Sequence, residues 1–178
     1  MDHDLKALFG SWDSAIGTIL SAIASTPSSR LNETMQTNLN LLGNIMQATG
    51  SALAADSEKQ ITLNKIGNKL QAIGNSTIIS GLLIQFNEET KTELNIKGNL
   101  LQSAGSGMSL PDLLDANEIT LNELYGIYGA LLQVIGNGLQ ALSGIIELRG
   151  NEGQNINLAG SWIQAAGALI QALIQSKN

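Results

Sequence analysis

Residues able to carry acid, base or metal chemistry are few in this chain and lie far apart. His3 is the only histidine. It lies near a chain terminus where we expect fraying, which excludes a histidine-based acid, base or metal site. The acidic pairs Glu88/Glu89 and Asp112/Asp115 fall in predicted turns, where carboxylates are usually solvated. We therefore predict no catalytic residue and no metal-binding residue.

Glycine-rich segments and cysteines add no chemistry to this inventory. The segments 105–107 (GlySerGly) and 136–140 (GlyAsnGlyLeuGln) follow no predicted strand, and no Lys-Ser or Lys-Thr pair comes after them. Neither segment therefore matches a phosphate-binding loop. The chain has no cysteine, which excludes disulfides, thiolate metal sites and cysteine nucleophiles. We predict no cofactor and no enzymatic activity.

The composition fits one domain over 1–178 with unusually little charge. Charged residues make up 13% of the 178 residues, whereas about a quarter is typical of soluble domains. The net charge is -6 and no Lys/Arg cluster exists, so nucleic acid and anionic lipid are poor partners. A surface this poor in charge predicts that part of it is covered, and we expect a homo-oligomer or a protein partner.

Two long uncharged runs, 124–146 and 154–176, raise the question of membrane insertion. Gln133, Asn137 and Gln140 interrupt the first run, which favours helices of a soluble protein. The segment MDHDLKALFG lacks a basic region followed by an apolar core, so we expect no secretory signal and a cytoplasmic location.

The chain contains an internal repeat built on the phrase Gly-x-x-x-Gln-x-x-Gly. Its last three copies begin 31 residues apart, and the first copy has Ser in place of Gln. The six copies are Gly10/Ser14/Gly17, Gly43/Gln47/Gly50, Gly67/Gln71/Gly74, Gly98/Gln102/Gly105, Gly129/Gln133/Gly136 and Gly160/Gln164/Gly167.

Capping signals before the repeats predict one helix for each repeat. The predicted capping boxes are Ser57/Gln60, Thr90/Glu93, Thr120/Glu123 and Asn151/Gln154. Short polar turns between the repeats favour antiparallel neighbours. We predict an all-α fold, either a helical bundle or a short helical array. Its six antiparallel helices cover roughly 3–25, 31–55, 58–86, 91–105, 118–148 and 152–176.

The motif residues form a stripe along each predicted helix. On a helical wheel of the fifth helix, Gly129, Gln133 and Gly136 lie opposite an aliphatic side that includes Ile135 and Leu142. Glycine inside a helix costs about 1 kcal/mol relative to alanine, so twelve motif glycines cost about 10 kcal/mol. This free-energy cost favours a stripe that is packed against another helix, so that both sides of each helix are covered. The partner helix belongs either to the same chain or to another copy.

Three phrases carry a resemblance to a known group of proteins: GSWDSAIG at 10–17, GNKLQAIGN at 67–75 and GSWIQAAG at 160–167. They resemble a family of uncharacterised repetitive helical proteins from Gram-positive, spore-forming bacteria. The resemblance implies no activity, ligand or catalytic residue. Trp12 and Trp162 occupy equivalent repeat positions and, like Tyr125 and Tyr128, are interpreted as packing anchors. The first and last repeats are interpreted as capping repeats.

These features predict a non-enzymatic helical protein that acts by packing, either with itself or with another protein. The alternative is a membrane-active protein whose helices open and expose their aliphatic sides to lipid, inserting or forming a pore. A third hypothesis, a carrier of apolar ligands, requires a cavity.

Overall fold

The computed structural model describes residues 2–28, 30–114 and 120–177. These residues form six long helices and one short helix, with no strand among them, which confirms the all-α class. The helices are α1 (His3–Ser25), α2 (Glu33–Ser57), α3 (Leu63–Leu83), α4 (Glu88–Gly107), α5 (Leu110–Leu114), α6 (Leu121–Leu148) and α7 (Gln154–Gln175).

The six long helices form a closed ring. Three helical hairpins, α1–α2, α3–α4 and α6–α7, follow one another along the chain. Helix α2 packs on α3, α4 packs on α6, and α7 returns to pack on α1. The short helix α5 lies against α6 and α3. Of the two predicted architectures, the structure is therefore the helical bundle. In an array, α1 and α7 would be its two capped ends, but here they pack against each other.

Helix α6 begins at the predicted capping box. The Thr120 hydroxyl accepts a hydrogen bond from the Glu123 backbone N–H at 3.2 Å, and the Glu123 carboxylate accepts one from the Thr120 backbone N–H at 2.7 Å. The bond from the Thr120 backbone, more than any other interaction, holds the pKa of Glu123 below its ordinary value.

The predicted start of α3 at the Ser57/Gln60 box is wrong. Ser57 is the last residue of α2, and its hydroxyl donates to the Ala54 carbonyl oxygen at 2.7 Å. Thr62 caps α3 instead, accepting from the Lys65 backbone N–H at 2.9 Å. Helix α2 is longer than predicted at this end, and α3 begins five residues later than predicted.

The boxes predicted for α4 and α7 are also wrong. Asn87 caps α4 by accepting from the Thr90 backbone N–H at 2.8 Å, so Thr90 and Glu93 lie inside the helix. Helix α7 begins after Gly153 without a side-chain cap, and Asn151 lies outside it. Before α4, Asn87 and Thr90 have similar capping chemistry and stand three residues apart, and the sequence pattern alone does not rank them.

Glu88, Glu89 and Asp112 do not lie in turns as predicted. Glu88 and Glu89 open α4, where the partial positive charge of a helix N-terminus favours carboxylates. Helix α4 continues to Gly107, and Asp112 lies within α5. Asp115 and the predicted helix start at 118 lie outside the described residues.

The motif glycines pack against each other across the two helices of each hairpin. A Cβ added at Gly136 would lie 2.7 Å from the Gly160 carbonyl oxygen, and one added at Gly160 would lie 2.7 Å from the Gly136 carbonyl oxygen. All twelve glycines pair reciprocally in this way: Gly10/Gly50, Gly17/Gly43, Gly67/Gly105, Gly74/Gly98, Gly129/Gly167 and Gly136/Gly160. The structure confirms the packed stripe and places its partner in the same chain.

The ring is polar inside and exposes many large apolar side chains outside. Its buried apolar side chains are alanines and Ile78, while asparagine, glutamine and serine side chains occupy much of the interior. By contrast, Phe9 is 58% exposed, Ile135 51% and Trp162 45%. The prediction that both sides of each helix are covered is therefore wrong for a single chain. Only the Gly/Gln side is covered, because its small residues allow the helices to approach closely.

Candidate functional site

A layer of glutamines crosses the interior of the ring. Gln47, Gln102 and Gln164 come from the second helix of each hairpin and are nearly fully buried. They occupy the same place in the Gly-x-x-x-Gln-x-x-Gly phrase. Antiparallel packing of similar hairpins brings them to one level, as predicted for a polar layer through the middle of the bundle.

Hydrogen bonds connect this glutamine layer across the three hairpins. Gln164 Nε2 donates to Gln47 Oε1 at 3.0 Å and to Gln102 Oε1 at 3.2 Å. Gln164 Oε1 accepts from Gln140 Nε2 at 2.8 Å, and Gln47 Nε2 donates to the Ser21 hydroxyl at 3.2 Å. Buried amides cost free energy unless they are paired, so this layer favours one register of the six helices.

Two chambers lie inside the ring, and the glutamine layer lines the smaller one. The smaller has a volume of about 40 Å³ and includes Asn44, Asn99 and Asn157 in its lining. A polar cavity of this size holds one or a few water molecules.

The larger chamber has a volume of about 420 Å³ and is lined by residues of α1, α2, α3, α6 and α7. The motif positions of the first helix in each hairpin, Ser14, Gln71 and Gln133, all line it. Gln133 Nε2 donates to Gln171 Oε1 at 2.7 Å on its wall. Ser51 and Asn68, for which no functional role was predicted, also line the chamber. Asn68 follows the first glycine of its motif copy and Ser51 follows the second glycine of its copy, and both positions are polar in most repeats.

The residues considered for catalysis do not form a site in the described part of the chain. The His3 imidazole Nδ1 lies 2.9 Å from the Ser57 carbonyl oxygen, at the junction of α1 and α2. No group of three His, Cys, Asp or Glu residues that could hold a metal ion occurs among the described residues. The glycine-rich segments 105–107 and 136–140 lie within α4 and α6.

The two tryptophans hold the seam between α1 and α7. Trp12 Nε1 donates to the Ser176 hydroxyl at 2.9 Å, and Trp162 Nε1 donates to the Thr26 hydroxyl at 3.1 Å. Trp12 also packs on a cluster of buried alanines that includes Ala168. The tryptophans are therefore packing anchors, and their place in the first and last repeats serves ring closure.

The outer surfaces of α1, α7 and α6 adjoin one another and carry much of the exposed apolar area. We call this surface the α1–α7–α6 face. Its exposed side chains include Leu5, Phe9, Ile16 and Ile23 on α1, Trp162 and Leu173 on α7, and Tyr125, Tyr128, Leu131, Ile135 and Leu142 on α6. Helix α7 has no charged residue.

Two described helices, α1 and α6, are long and apolar enough to cross a membrane, and both belong to this face. The predicted run 124–146 lies within α6. The run 154–176 corresponds to α7, which does not qualify. Core helices of soluble proteins also pass this test, which makes two such helices weak support for insertion.

The opposite side of the ring is more charged. Helix α4 carries an ion pair between Lys97 Nζ and Glu93 Oε2 at 2.7 Å, and Lys69 is exposed on α3. On the α1–α7–α6 face, by contrast, Asp13 lies beside Phe9 and Ile16, and burial raises the pKa of its carboxyl.

Comparison with known proteins identifies a family without assigning an activity. The search of curated proteins found no match, and the search of solved structures found none either. A family of unknown function matches residues 5–172, nearly the whole ring. This agrees with the resemblance to an uncharacterised family. The chain belongs to this family, DUF6944.

Proposed function

We propose that this protein is a non-enzymatic helical module that associates with copies of itself through the α1–α7–α6 face. One observation carries the proposal: the aliphatic sides of these helices lie on the outside of the ring, while small and polar residues line its interior. Monomeric proteins rarely expose large contiguous apolar patches, and such patches commonly mark interaction sites.

The size of the face suits a dimer. Helix α7 has 22 residues, corresponding to a length of about 33 Å. Two interhelical spacings of about 9 Å give the three-helix surface a width of about 18 Å. The projected area is then about 600 Å², close to the roughly 800 Å² that each partner buries in a stable interface.

The charged side of the ring favours a second copy over a surrounding bilayer. Every long helix of a closed ring reaches its outside, so spanning a membrane would also bring Lys69 and Lys97 towards lipid. A lysine at the centre of a bilayer costs about 2.5 to 3.5 kcal/mol on insertion scales. A dimer formed through the α1–α7–α6 face leaves both lysines in water.

Size-exclusion chromatography with light scattering tests the proposal. We expect the wild-type protein to have at least twice the mass of one chain. The variants Ile16→Glu and Leu142→Glu place a charge on the α1–α7–α6 face and should be monomeric. Leu100→Glu is the matched control, because Leu100 is 50% exposed on α4. A wild-type monomer at high concentration, or equal dissociation by Leu100→Glu, contradicts the proposal.

A second candidate function is membrane activity, favoured by the presence of both span-length helices on one face. Here the hairpins would separate and turn this face towards lipid. Dye-loaded liposomes distinguish the two functions. Release of dye, with protein recovered in the lipid fraction, supports membrane activity, while intact liposomes together with a stable dimer support self-association.

A further inference from the structure

The larger chamber contains polar side chains without a protein partner. Ser51 is only 4% exposed, yet its hydroxyl makes no hydrogen bond to any described residue. The side chains of Ser14, Asn68 and Gln71 also line the chamber and bond to no described residue. Buried polar groups are almost always paired, so the Ser51 hydroxyl needs a partner inside the chamber. Ser14, Asn68 and Gln71 are only partly buried, and their side chains are open to hydrogen bonding from the chamber.

The lining selects an uncharged partner. Glu58 is the only ionisable residue among the lining residues, and its carboxylate already accepts from Asn64 Nδ2 at 2.6 Å. An anionic ligand would find no positive counter-charge among these lining residues and would face the Glu58 carboxylate, and burial of an unpaired charge is costly. An apolar ligand would leave the hydroxyl and carboxamide groups unpaired. The apolar-carrier hypothesis therefore does not fit this chamber.

The lining also suits a molecule that has many hydroxyl groups on a carbon frame. Carboxamides both donate and accept hydrogen bonds, as hydroxyl groups do. Among these polar side chains, the lining also includes three apolar ones, Ala7, Ala54 and Ala168, which suit the carbon frame of such a molecule. The volume of about 420 Å³ lies within the usual range for small-molecule sites. The chamber extends to Gln175, the last residue of α7, and so reaches one end of the ring.

From these observations we infer that the larger chamber is a binding site for a small, uncharged polyhydroxylated molecule, the size of a monosaccharide or a cyclic polyol. The site lies inside the ring and the α1–α7–α6 face lies outside it. The inference is therefore independent of self-association, and either can fail without the other.

Saturation-transfer NMR and calorimetric titration with glucose, myo-inositol and glycerol test the inference. At least one of these three probes should bind. Glucose 6-phosphate and hexanol provide charged and apolar comparisons, and both should bind at least tenfold more weakly than the best polyol. Gln71→Leu should weaken polyol binding about three- to tenfold, because it removes one hydrogen-bonding group. Gln85→Leu is the matched control, because Gln85 is exposed between α3 and α4.

Circular dichroism and light scattering would first show that the Gln71→Leu protein keeps its helices and its oligomeric state. If it does not, Asn68→Ala replaces it, with the same expected loss. Absence of binding by all three polyols overturns the inference. So does equal binding of glucose and glucose 6-phosphate, or an equal effect of the chamber variant and Gln85→Leu.

Discussion

Replacement of Gly136 by alanine tests whether close backbone contact holds the α6–α7 hairpin together. A Cβ at this position would lie 2.5 Å from the Gln164 backbone nitrogen and 2.7 Å from the Gly160 carbonyl oxygen. Both atoms belong to the backbone of α7 and cannot rotate away. Gly138 lies two residues further along α6, and a Cβ there meets no atom within 4 Å. The two substitutions therefore differ chiefly in contact with α7.

The expected magnitudes follow from helix propensity and packing. Alanine is favoured over glycine inside a helix by about 1 kcal/mol, so Gly138→Ala should stabilise the fold by about 0.5 to 1 kcal/mol. At Gly136 the helices must separate by about 1 Å, which sacrifices a quarter to a half of the dispersion energy along the contact. Overpacking costs about 1 to 3 kcal/mol. We expect Gly136→Ala to lower the free energy of unfolding by about 1 to 2 kcal/mol net.

Urea unfolding followed by circular dichroism measures both changes, at one protein concentration because association shifts apparent stability. In thermal unfolding, Gly136→Ala should lower the Tm by about 2 to 8 °C for a domain of this size. If Gly136→Ala is as stable as Gly138→Ala, the glycines are not retained for close packing, and the account of the stripe fails.

Three further changes test other parts of the structure. Burial raises the pKa of Asp13 above 3.8 in the folded chain. Between the unfolded and the folded pKa, the folded chain therefore binds a proton that the unfolded chain has released, and the contribution of Asp13 to stability falls as the pH rises. Asp13→Asn should remove that fall, measured as Tm between about pH 3 and about pH 7. Thr120→Ala should cost about 1 kcal/mol in urea unfolding, since it breaks the capping box with Glu123. Gln164→Leu removes the 2.8 Å hydrogen bond from Gln140 Nε2 to Gln164 Oε1 and leaves that amide with a long 3.5 Å bond to the Gly136 carbonyl oxygen. This change should cost about 1 to 3 kcal/mol, with faster amide hydrogen exchange in α6 as an independent measurement.

The number of long helices and the packed stripe could be predicted because they depend on local signals. Glycine recurs at seven-residue spacing against its own helix propensity, and only close contact offsets that cost. The prediction of the Thr120/Glu123 box is confirmed, and both of its hydrogen bonds form in the structure. At the start of α4, Asn87 and Thr90 have equivalent capping chemistry three residues apart, and the pattern did not distinguish them.

Which side of each helix faces inwards could not be predicted from one helix alone. Ile135 and Leu142 mark an aliphatic side that would ordinarily form a core. In the ring they are exposed, because the Gly/Gln sides of the six helices face the interior. This outcome depends on the other five helices. The chamber was missed for the same reason: Ser51 and Asn68 become neighbours only when the ring closes.

The tryptophan seam has a consequence for how the chain reaches this structure. Five of the six junctions in the ring join helices that follow one another in sequence, whereas the bond from Trp12 to Ser176 spans 164 residues. Closure over that distance costs about 1.7 kcal/mol more in chain entropy than the 24-residue separation of Gln140 and Gln164. This topology favours a particular order of folding. The three hairpins form early and independently, and the first hairpin then packs slowly against the third.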